Sequence, residues 1–457
     1  MSDTLMVSVS GVRGLVGADL TPEVVARWAA AFGTWAKNGK RNRVVVGRDA
    51  RTSGLMFTAA ATAGLNSVGC AVIDVGLVAT PTVQLAVEHH RAAGGIILTA
   101  SHNPIEWNAL KFVGPDGIFL DGVAGTRVRE LAAGDSLPRA NYNAIGGVEA
   151  DSDAISRHLA AVLALRGVEV RAIRRRRFRV ALDTVRGAGG ALMPELLERL
   201  GCRVAAINLE TDGLFPRPPE PVPENLKALG ALVRRKQADI GIAVDPDVDR
   251  LAIVDERGRP IGEDYTLAFA IRAVLGRSGG RTAGRPVVCN LSTSLVVEDA
   301  AREYGARVVR APVGEAHVAR KIIALKAVIG GEGNGGVMYP ALHVGRDAPV
   351  AGALVLSLLA RERTTVSELV ERAPRYTIVK AKAPRGALLE QVYDGLRKRF
   401  SEATVDTQDG LRLAWPDRWL HVRPSGTEPI IRLIAEAPSG ADAEQLIEEG
   451  RRLCAAS

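Results

Sequence analysis

The sequence has few of the features that mark a disulfide-bonded or membrane-spanning protein. Its four cysteines include no Cys-x-x-Cys pair, which argues against a structural zinc site or a disulfide framework. No stretch reaches the ~18 consecutive apolar residues of a membrane span, and the N-terminus has no basic segment followed by an apolar core. We therefore expect a soluble cytoplasmic protein without a membrane partner, whose cysteines are reduced and buried.

Aromatic residues are also scarce, at 4% of the chain. The net charge of +8 would suit a nucleic-acid partner. However, the basic residues are spread along the chain, no recognisable nucleic-acid-binding motif is present, and few rings are available to stack on bases. These observations favour a small anionic substrate over nucleic acid.

A chain of 457 residues is long enough for about three domains, or for four small ones. Short β-branched runs recur, each followed by a Gly- or Asp-rich turn and then an Ala- and Leu-rich stretch, which predicts βαβ units with mostly parallel sheets. These runs lie at 43–49, 95–104, 178–183, 238–245, 286–290 and 327–331. The fold class is therefore α/β.

The pattern changes beyond about residue 373, where a small α+β domain is predicted. Its strands are expected at 376–383, 411–415, 419–422 and 430–437, and its helices at 388–399 and 441–454. Earlier in the chain, residues 141–153 lack periodicity and form a plausible domain boundary, and the basic run 174–177 is expected to end a helix or to enter the next strand.

A hexapeptide, Thr99-Ala100-Ser101-His102-Asn103-Pro104, follows the apolar run 95–98. Ser101 therefore lies at the carboxyl end of a predicted buried strand, where ligands of α/β sheets bind. The alternative for Ser101 is a helix N-cap or a turn hydroxyl. No Gly-x-Ser-x-Gly elbow surrounds it, so an acyl-transferring serine is not supported. His102 could act as a general base or donate a hydrogen bond to a phosphate.

Three carboxylates, Asp245, Asp247 and Asp249, alternate directly after the apolar run 240–244. Carboxylate oxygens are hard ligands for Mg²⁺, and this spacing turns several of them toward one cation if the loop curls. The alternative is a solvated acidic turn or a helix cap. Pro246 and Arg250 favour magnesium, because they fix the turn and place a cation beside it.

Two further loops could bind a sugar phosphate. The Gly-rich loop 331–336 contains one carboxylate, Glu332, able to accept from paired sugar hydroxyls, although Gly-rich turns are common in α/β chains. The loop 423–429 combines an arginine fork with hydroxyl and backbone donors, which indicates a phosphate cradle, or alternatively a charged β-turn. Its four candidate residues are Arg423, Ser425, Gly426 and Thr427.

Taken together, these motifs resemble the α-D-phosphohexomutase superfamily over essentially the whole chain. The resemblance implies three similar mixed-sheet α/β domains plus a smaller C-terminal α+β domain around a central cleft. It also implies that Ser101 carries a phosphoryl group, that Asp245, Asp247 and Asp249 bind Mg²⁺ with an oxygen of that phosphoserine, and that Glu332 binds the sugar. The cradle of the C-terminal loop should hold the phosphate that is not reacting. We place the domains at 1–150, 151–256, 257–370 and 371–457.

The same resemblance assigns three cations to the chemistry. Arg13 in Gly11-Val-Arg-Gly14 is implied as a phosphate contact, Lys111 in acid/base work, and Arg250 beside the metal loop. The implied reaction is a double phosphoryl transfer through an enzyme-bound hexose 1,6-bisphosphate, with one Mg²⁺ per active site and the bisphosphate as activator. The resemblance leaves the enzyme a monomer or a homodimer.

The sugar loop departs from the pattern of many bacterial members, Gly-Glu-x-Ser-Gly-His. The serine position is Asn334 and the histidine position is Gly336, so no histidine role is carried over, and Asn334 is a candidate sugar contact. The loop looks most like the archaeal-type members, which favours glucosamine phosphate over glucose or mannose phosphate. Residues 312–315, His343 and 345–347 are expected to line the same side of the cleft.

Two other functions remain open from the sequence. A metal-dependent phosphatase would use the same serine and aspartates but admit water. A non-catalytic sugar-phosphate sensor would keep the binding loops, although the intact Ser101, three aspartates and Lys111 argue against it.

Overall fold

The computed structural model describes residues 5–8, 11–37, 41–277, 284–384, 388–425 and 430–455. The first sheet has seven strands in the order β1-β2-β6-β5-β3-β4-β7. They are β1 (Met6–Ser8), β2 (Gly11–Leu15), β3 (Arg43–Arg48), β4 (Ala71–Leu77), β5 (Gly94–Leu98), β6 (Trp107–Val113) and β7 (Val148–Ala150). The accompanying helices are α1 (Pro22–Ala36), α2 (Gly54–Ser67), α3 (Thr80–His89) and α4 (Gly122–Ala133).

The second sheet has the order β11-β10-β8-β9. Its strands are β8 (Arg179–Asp183), β9 (Arg203–Ile207), β10 (Ile240–Val244) and β11 (Leu251–Val254). The helices are α5 (Ala154–Ala164), α6 (Val170–Arg176), α7 (Gly189–Arg199) and α8 (Lys227–Lys236), with a 3₁₀ turn at Pro223–Asn225. The basic run does end a helix, since α6 stops at Arg177 in the left-handed conformation.

The third sheet has the order β13-β12-β14-β15. Its strands are β12 (Val287–Asn290), β13 (Val308–Ala311), β14 (Ile329–Glu332) and β15 (Gly336–Met338). The helices are α9 (Asp264–Arg277), α10 (Val296–Arg302), α11 (Glu315–Leu325), α12 (Ala348–Glu362) and α13 (Val366–Glu371). All three sheets are mixed, because antiparallel strands such as β6, β11 and β15 join a parallel core.

The fourth domain has an antiparallel sheet in the order β16-β20-β19-β18-β17. The strands are β16 (Thr377–Pro384), β17 (Thr404–Asp406), β18 (Leu411–Ala414), β19 (Trp419–Pro424) and β20 (Ile430–Ala437), and the helices are α14 (Leu389–Arg399) and α15 (Gly440–Ala455). The predicted elements are therefore present, and β17 is an additional short strand. The domain limits at 150, 256 and 370 stay predictions.

The hydrophobic cores show which domains share a packed interior. One core runs through the second and third domains, where α12 is buried on all sides from Ala348 to Ala360, as expected of a helix that is apolar all round. The fourth domain has a separate core between its sheet and helices. The four cysteines are buried and unpaired. In the part of the chain that the structure describes, no helix is both long and apolar enough to cross a bilayer.

Candidate functional site

A cleft of about 460 Å³ lies where loops from all four domains meet. Nearly every sequence-predicted site residue with described coordinates either lines this cleft or lies directly behind it. The lining includes Arg13, Ser101, His102, Lys111, Arg250, Glu332, Asn334 and Arg423. The polar loops meet there because each follows the carboxyl end of a strand.

The loop after β5 places Ser101 at the floor of the cleft. Its backbone is in the left-handed region, with φ at 50°, a conformation that costs a non-glycine residue roughly 1–3 kcal/mol. The Ser101 amide donates to Thr99 Oγ1 at 2.9 Å, and its hydroxyl donates to Asp245 Oδ2 at 3.0 Å. His102 Nδ1 lies 3.4 Å from the same hydroxyl oxygen. The hydroxyl therefore joins the cleft to the aspartate loop.

A buried arginine, Arg51, holds this loop in shape. It is 2% exposed, and its guanidinium donates to four backbone carbonyls in or just after the loop, at 2.6 to 2.8 Å. Those carbonyls belong to Ser101, Asn103, Pro104 and Trp107. Its Nε donates to Asp49 Oδ2 at 3.1 Å. Sequence reasoning missed Arg51. The available signal was an Asp-x-Arg directly after the buried run of β3.

The three aspartates of the loop between β10 and β11, residues 245–250, lie together behind Ser101. Asp245, Asp247 and Asp249 are fully buried, and ligand oxygens from all three lie within 4.8 Å of one another. The loop turns at Val248, whose φ of 61° is unusual for a β-branched residue. Such strain is often found at functional sites.

Most of the aspartate oxygens have a hydrogen-bond donor. Asp247 Oδ2 accepts from Thr80 Oγ1 and from Lys111 Nζ, both at 2.8 Å. Asp249 Oδ2 accepts from the Arg346 guanidinium at 2.5 Å. Two buried oxygens, Asp247 Oδ1 and Asp249 Oδ1, have no hydrogen-bond partner among the described residues.

Such orphaned carboxylate oxygens are costly in a protein interior unless a ligand satisfies them. Two buried carboxylate oxygens without a hydrogen bond, one of them 3.8 Å from Arg250 Nε, beside a third aspartate fit a hard divalent cation such as Mg²⁺. The residues that would hold the ion are Asp245, Asp247 and Asp249, with the Ser101 hydroxyl alongside Asp245.

The electrostatics of the loop agree with this fit. Burial, together with the charges of Asp249 and Asp247, raises the pKa of Asp245 well above its usual value. Burial also opposes the ionisation of Asp247, but the Lys111 ammonium and the Thr80 hydroxyl outweigh it and lower the pKa of Asp247. The mutual repulsion of these buried carboxylates is what a divalent cation bound among them would offset.

Three cations, Arg13, Lys111 and Arg250, line the cleft around the serine. Arg13 donates to Asn103 Oδ1 at 2.7 Å, and Arg250 donates to Glu220 at 3.2 Å. The positive charge of Arg250, then burial and the charge of Arg13, lower the pKa of His102 well below its usual value. His102 is therefore a neutral imidazole near pH 7, able to accept a proton.

Glu332 ends β14 with both carboxylate oxygens engaged. Oε1 accepts from Asn290 Nδ2 at 2.9 Å and from the Gly314 amide at 3.0 Å, and Oε2 accepts from Arg346 at 2.9 Å. Burial opposes ionisation, but Arg346 and Asn290 lower the pKa of Glu332 overall. Asn334 accepts from the backbone two residues later and faces the cleft. Glu332 is thus a fixed anion at the cleft wall.

The fourth domain brings Arg423 to the cleft, where its Nε lies 3.0 Å from Asp409 Oδ2. The Ser425 amide donates to the Ile430 carbonyl at 2.9 Å. The predicted cradle residues Gly426 and Thr427 lie outside the described residues.

Polar contacts dock this domain on the third. Ser292 Oγ lies 2.8 Å from His421 Nδ1. Glu436 accepts from the Ser294 hydroxyl and, at 2.8 Å, from the Leu295 amide.

One expectation about the third domain was wrong in part. Glu315 and Arg346 do line the cleft. In contrast, His343 and Asp347 form a buried group outside the cleft lining, in which Asp347 Oδ2 lies 2.9 Å from His343 Nε2 and 2.8 Å from His158 Nε2. Asp347 is turned inward because its other oxygen accepts from the Val350 amide and caps α12.

Comparison with known proteins agrees with this geometry. Four family models match consecutive parts of the chain: phosphoglucomutase/phosphomannomutase alpha/beta/alpha domain I over residues 5–137, domain II over 156–258, domain III over 262–376 and the C-terminal domain over 378–453. Together the four models cover most of the sequence.

Individual proteins are also similar to this chain over nearly its whole length. A phosphoglucomutase/phosphomannomutase of Thermococcus kodakarensis is 40% identical, with 97% of each chain covered. A phosphoglucosamine/phosphogalactosamine mutase of Sulfurisphaera tokodaii is 33% identical, again with 97% of each covered. The solved structure of a phosphoglucomutase/phosphomannomutase family protein from Burkholderia thailandensis, 28% identical, superposes with a TM-score of 0.85, with 99% of this chain and 98% of that chain covered. The chain belongs to the phosphoglucomutase/phosphomannomutase family of α-D-phosphohexomutases and is a phosphohexomutase enzyme.

Proposed function

We propose that this enzyme interconverts hexose 6-phosphate and hexose 1-phosphate through a phosphoserine at Ser101 and a hexose 1,6-bisphosphate intermediate. The observation that carries the proposal is the position of the Ser101 hydroxyl. It lies at the cleft floor, 3.0 Å from Asp245 Oδ2, beside the two buried oxygens of Asp247 and Asp249 that lack donors. A serine so placed can carry a phosphoryl group next to a bound cation.

The metal and the cationic side chains would together neutralise the negative charge of the transferring phosphoryl group. Bound Mg²⁺, one per active site, supplies Lewis-acid neutralisation of phosphoryl oxygens. Arg13, Lys111 and Arg250 surround the same floor and stabilise the negative charge from the cleft side. When Ser101 attacks a phosphate, the nearby acceptor for its proton is the neutral His102 ring, whose Nδ1 lies 3.4 Å from the hydroxyl oxygen. Lys111, fixed by Asp247, faces the substrate for acid/base work.

The opposite walls bind the part of the substrate that does not react. Glu332 and Asn334 accept from sugar hydroxyls, while Arg423 and Ser425, with Gly426 and Thr427, hold the distal phosphate. After the first transfer the bisphosphate turns round, so that its other phosphate meets Ser101. Because the intermediate carries phosphate at both ends, added hexose 1,6-bisphosphate phosphorylates Ser101 and acts as an activator.

We further propose that glucosamine phosphate is the preferred substrate. The relative from Sulfurisphaera acts by its name on amino sugars, and the sugar loop has the Gly-Glu-Gly-Asn form. The relative from Thermococcus, named for glucose and mannose phosphates, makes those two sugars the competing substrates. The three sugars differ at C2, so their order of kcat/KM decides between them.

The test is isomerisation of glucosamine, glucose and mannose phosphates by the purified protein with Mg²⁺ and a trace of hexose 1,6-bisphosphate. We expect turnover that is lost in Ser101→Ala and retained in Ser156→Ala, an exposed serine on α5. Turnover that survives Ser101→Ala would refute the covalent mechanism. Release of inorganic phosphate without isomerisation would establish a phosphatase instead.

A further inference from the structure

Arg346 lies in the loop between β15 and α12, where the metal loop and the sugar loop approach each other. It is 7% exposed and donates from each of its three guanidinium nitrogens to a different carboxylate. Nη2 donates to Asp249 Oδ2 at 2.5 Å, Nη1 to Glu332 Oε2 at 2.9 Å, and Nε to Glu315 Oε2 at 3.0 Å. One side chain therefore contacts both the metal loop and the sugar loop.

All three contacts join a buried guanidinium to buried carboxylates, because Asp249, Glu315 and Glu332 are each less than a tenth exposed. A planar guanidinium is always charged and presents its donors in a fixed fork. Three carboxylates held by one rigid fork cannot reorient independently of one another.

The space for Arg346 comes from Gly336, at the start of β15. A Cβ atom at Gly336 would lie 2.2 Å from Cδ of Arg346 and 2.9 Å from its Cγ. No side chain larger than hydrogen fits there while Arg346 keeps its position. The glycine and the arginine therefore form a matched pair in this chain.

We propose that Arg346 is a positioning residue that links the metal loop to the sugar loop. It holds Asp249 Oδ2, which leaves Oδ1 of the same carboxylate without a hydrogen bond, 3.8 Å from Arg250 Nε, so that Oδ1 could coordinate a bound cation. It simultaneously fixes Glu332 at the cleft wall. The identification of the two loops rests on the proposed function; the coupling between them is the new element.

Partners that orient a metal ligand typically contribute ~10–100-fold to metal affinity. Loss of Arg346 should therefore weaken metal binding even without a sugar present. A role confined to the sugar loop would leave metal binding unchanged. Metal affinity measured without substrate thus distinguishes a role that links the two loops from a role confined to the sugar loop.

The first experiment is calorimetric titration of the full chain with Mg²⁺ alone. We expect Arg346→Met to raise the Kd for Mg²⁺ by about tenfold or more. The matched control is Arg272→Met, which removes an equally buried arginine that pairs with Glu303 outside the cleft lining and should leave the Kd unchanged. An unchanged Mg²⁺ Kd in folded Arg346→Met would overturn the proposal.

The second experiment uses Gly336→Ala, which removes no functional group but displaces Arg346. We expect it to weaken Mg²⁺ binding in the same direction as Arg346→Met. The double variant Gly336→Ala/Arg346→Met should have nearly the same Kd for Mg²⁺ as Arg346→Met alone, because Gly336→Ala acts only by displacing Arg346. Additive losses, or a Gly336→Ala variant that binds Mg²⁺ like the parent, would refute the coupling.

Circular dichroism checks that each variant is folded, and Gly336→Ala keeps the test open if Arg346→Met does not fold. Glu332→Gln serves as the sugar-loop control, expected to weaken glucose 6-phosphate binding but to change the Mg²⁺ Kd by less than Arg346→Met. The titrations need no catalysis. An enzyme that binds Mg²⁺ in an Arg346-dependent way but isomerises nothing would therefore refute the proposed function and leave this inference standing.

Discussion

Two buried arginines, Arg51 and Arg346, stabilise opposite sides of the cleft by different means. Arg51 donates mainly to uncharged backbone carbonyls of the serine loop, all within the first domain. Arg346 donates to three carboxylates that belong to two loops and a helix start in the second and third domains. The first arginine fixes the shape of one loop, and the second fixes the relative position of charges. The cleft needs both, because phosphoryl transfer depends on geometry and on charge.

The largest effect is expected from Arg51→Met. It removes the arginine donor from four carbonyls, and at the Ser101 carbonyl, where the bond is fully buried, the loss costs about 1–3 kcal/mol. It also releases Ser101 from its left-handed conformation. We expect a marked fall in thermal stability and the loss of nearly all mutase turnover. Calorimetric unfolding and an isomerisation assay measure the two. Arg51→Lys keeps the charge but loses the planar fork, so its stability and turnover should lie between those of the parent and of Arg51→Met. A fully active Arg51→Met would show that the serine loop does not need the arginine.

The next largest difference is expected in how metal removal changes the melting temperatures of the Arg51 and Arg346 variants. Saturating Mg²⁺ stabilises a protein by about 2.7 kcal/mol at a hundredfold excess over Kd, so chelation should lower the melting temperature of the parent by several degrees. The shift should persist in Arg51→Lys and shrink in Arg346→Met. Melting curves with Mg²⁺ or with EDTA test this. If chelation lowered the melting temperature equally in both variants, Arg346 would contribute no more to metal binding than Arg51 does.

Another carboxylate at the cleft, Asp264, accepts a hydrogen bond from the Ser294 amide and is not held by an arginine fork. Burial, together with Glu436 and Glu263, raises the pKa of Asp264 to about 8 from its usual 3.8. The folded protein therefore holds this proton more tightly than the unfolded chain, and stability falls as pH rises between those two values. Asp264→Asn should melt a few degrees higher than the parent at pH 8 and equally at low pH. Exposed Asp153→Asn is the control, and parallel pH curves for parent and Asp264→Asn would contradict the argument.

The smallest effect concerns the shape of the pH profile. The charges of Arg250 and Arg13 act on His102 without a hydrogen bond and, with burial, keep its pKa well below the usual range. His102→Gln should therefore lower kcat/KM without changing its pH dependence between about pH 6 and 8, the range in which an ordinary histidine titrates. Profiles of the two proteins test this. A titration near neutral pH that disappears in His102→Gln would show that His102 is charged in the free enzyme.

The sequence was sufficient for the central strands of the sheets and for the residues at their ends. Apolar β-branched runs followed by polar loops predicted β5, β10 and β14, and thereby brought Ser101, Asp245 and Glu332 to one cleft. Other strands of the three α/β domains, such as β4, β6 and β11, were not predicted. The short strand β17 was also missed, because it is largely exposed and lacks an apolar run.

The supporting residues were harder to predict. Arg51, Thr80 and Arg346 act through side chains that reach across the fold, and a linear pattern does not record where a long side chain ends. His343 and Asp347 were wrongly expected at the cleft because their loop does line it, while the capping of α12 turns these two inward. The Gly336–Arg346 pair could be recognised only once both positions were seen in space.

The bond from Ser101 to Asp245 joins residues 144 positions apart, and that from Thr80 to Asp247 joins residues 167 apart. Contacts of such long range form late, because the chain between them must first be ordered. As the polypeptide leaves the ribosome, the first domain is complete well before the aspartate loop is made. Ser101 is therefore folded before Asp245 is made, and it gains this contact only when the second domain docks. With Ser101 as the proposed phosphoryl carrier, activity then requires a chain whose domains have already assembled.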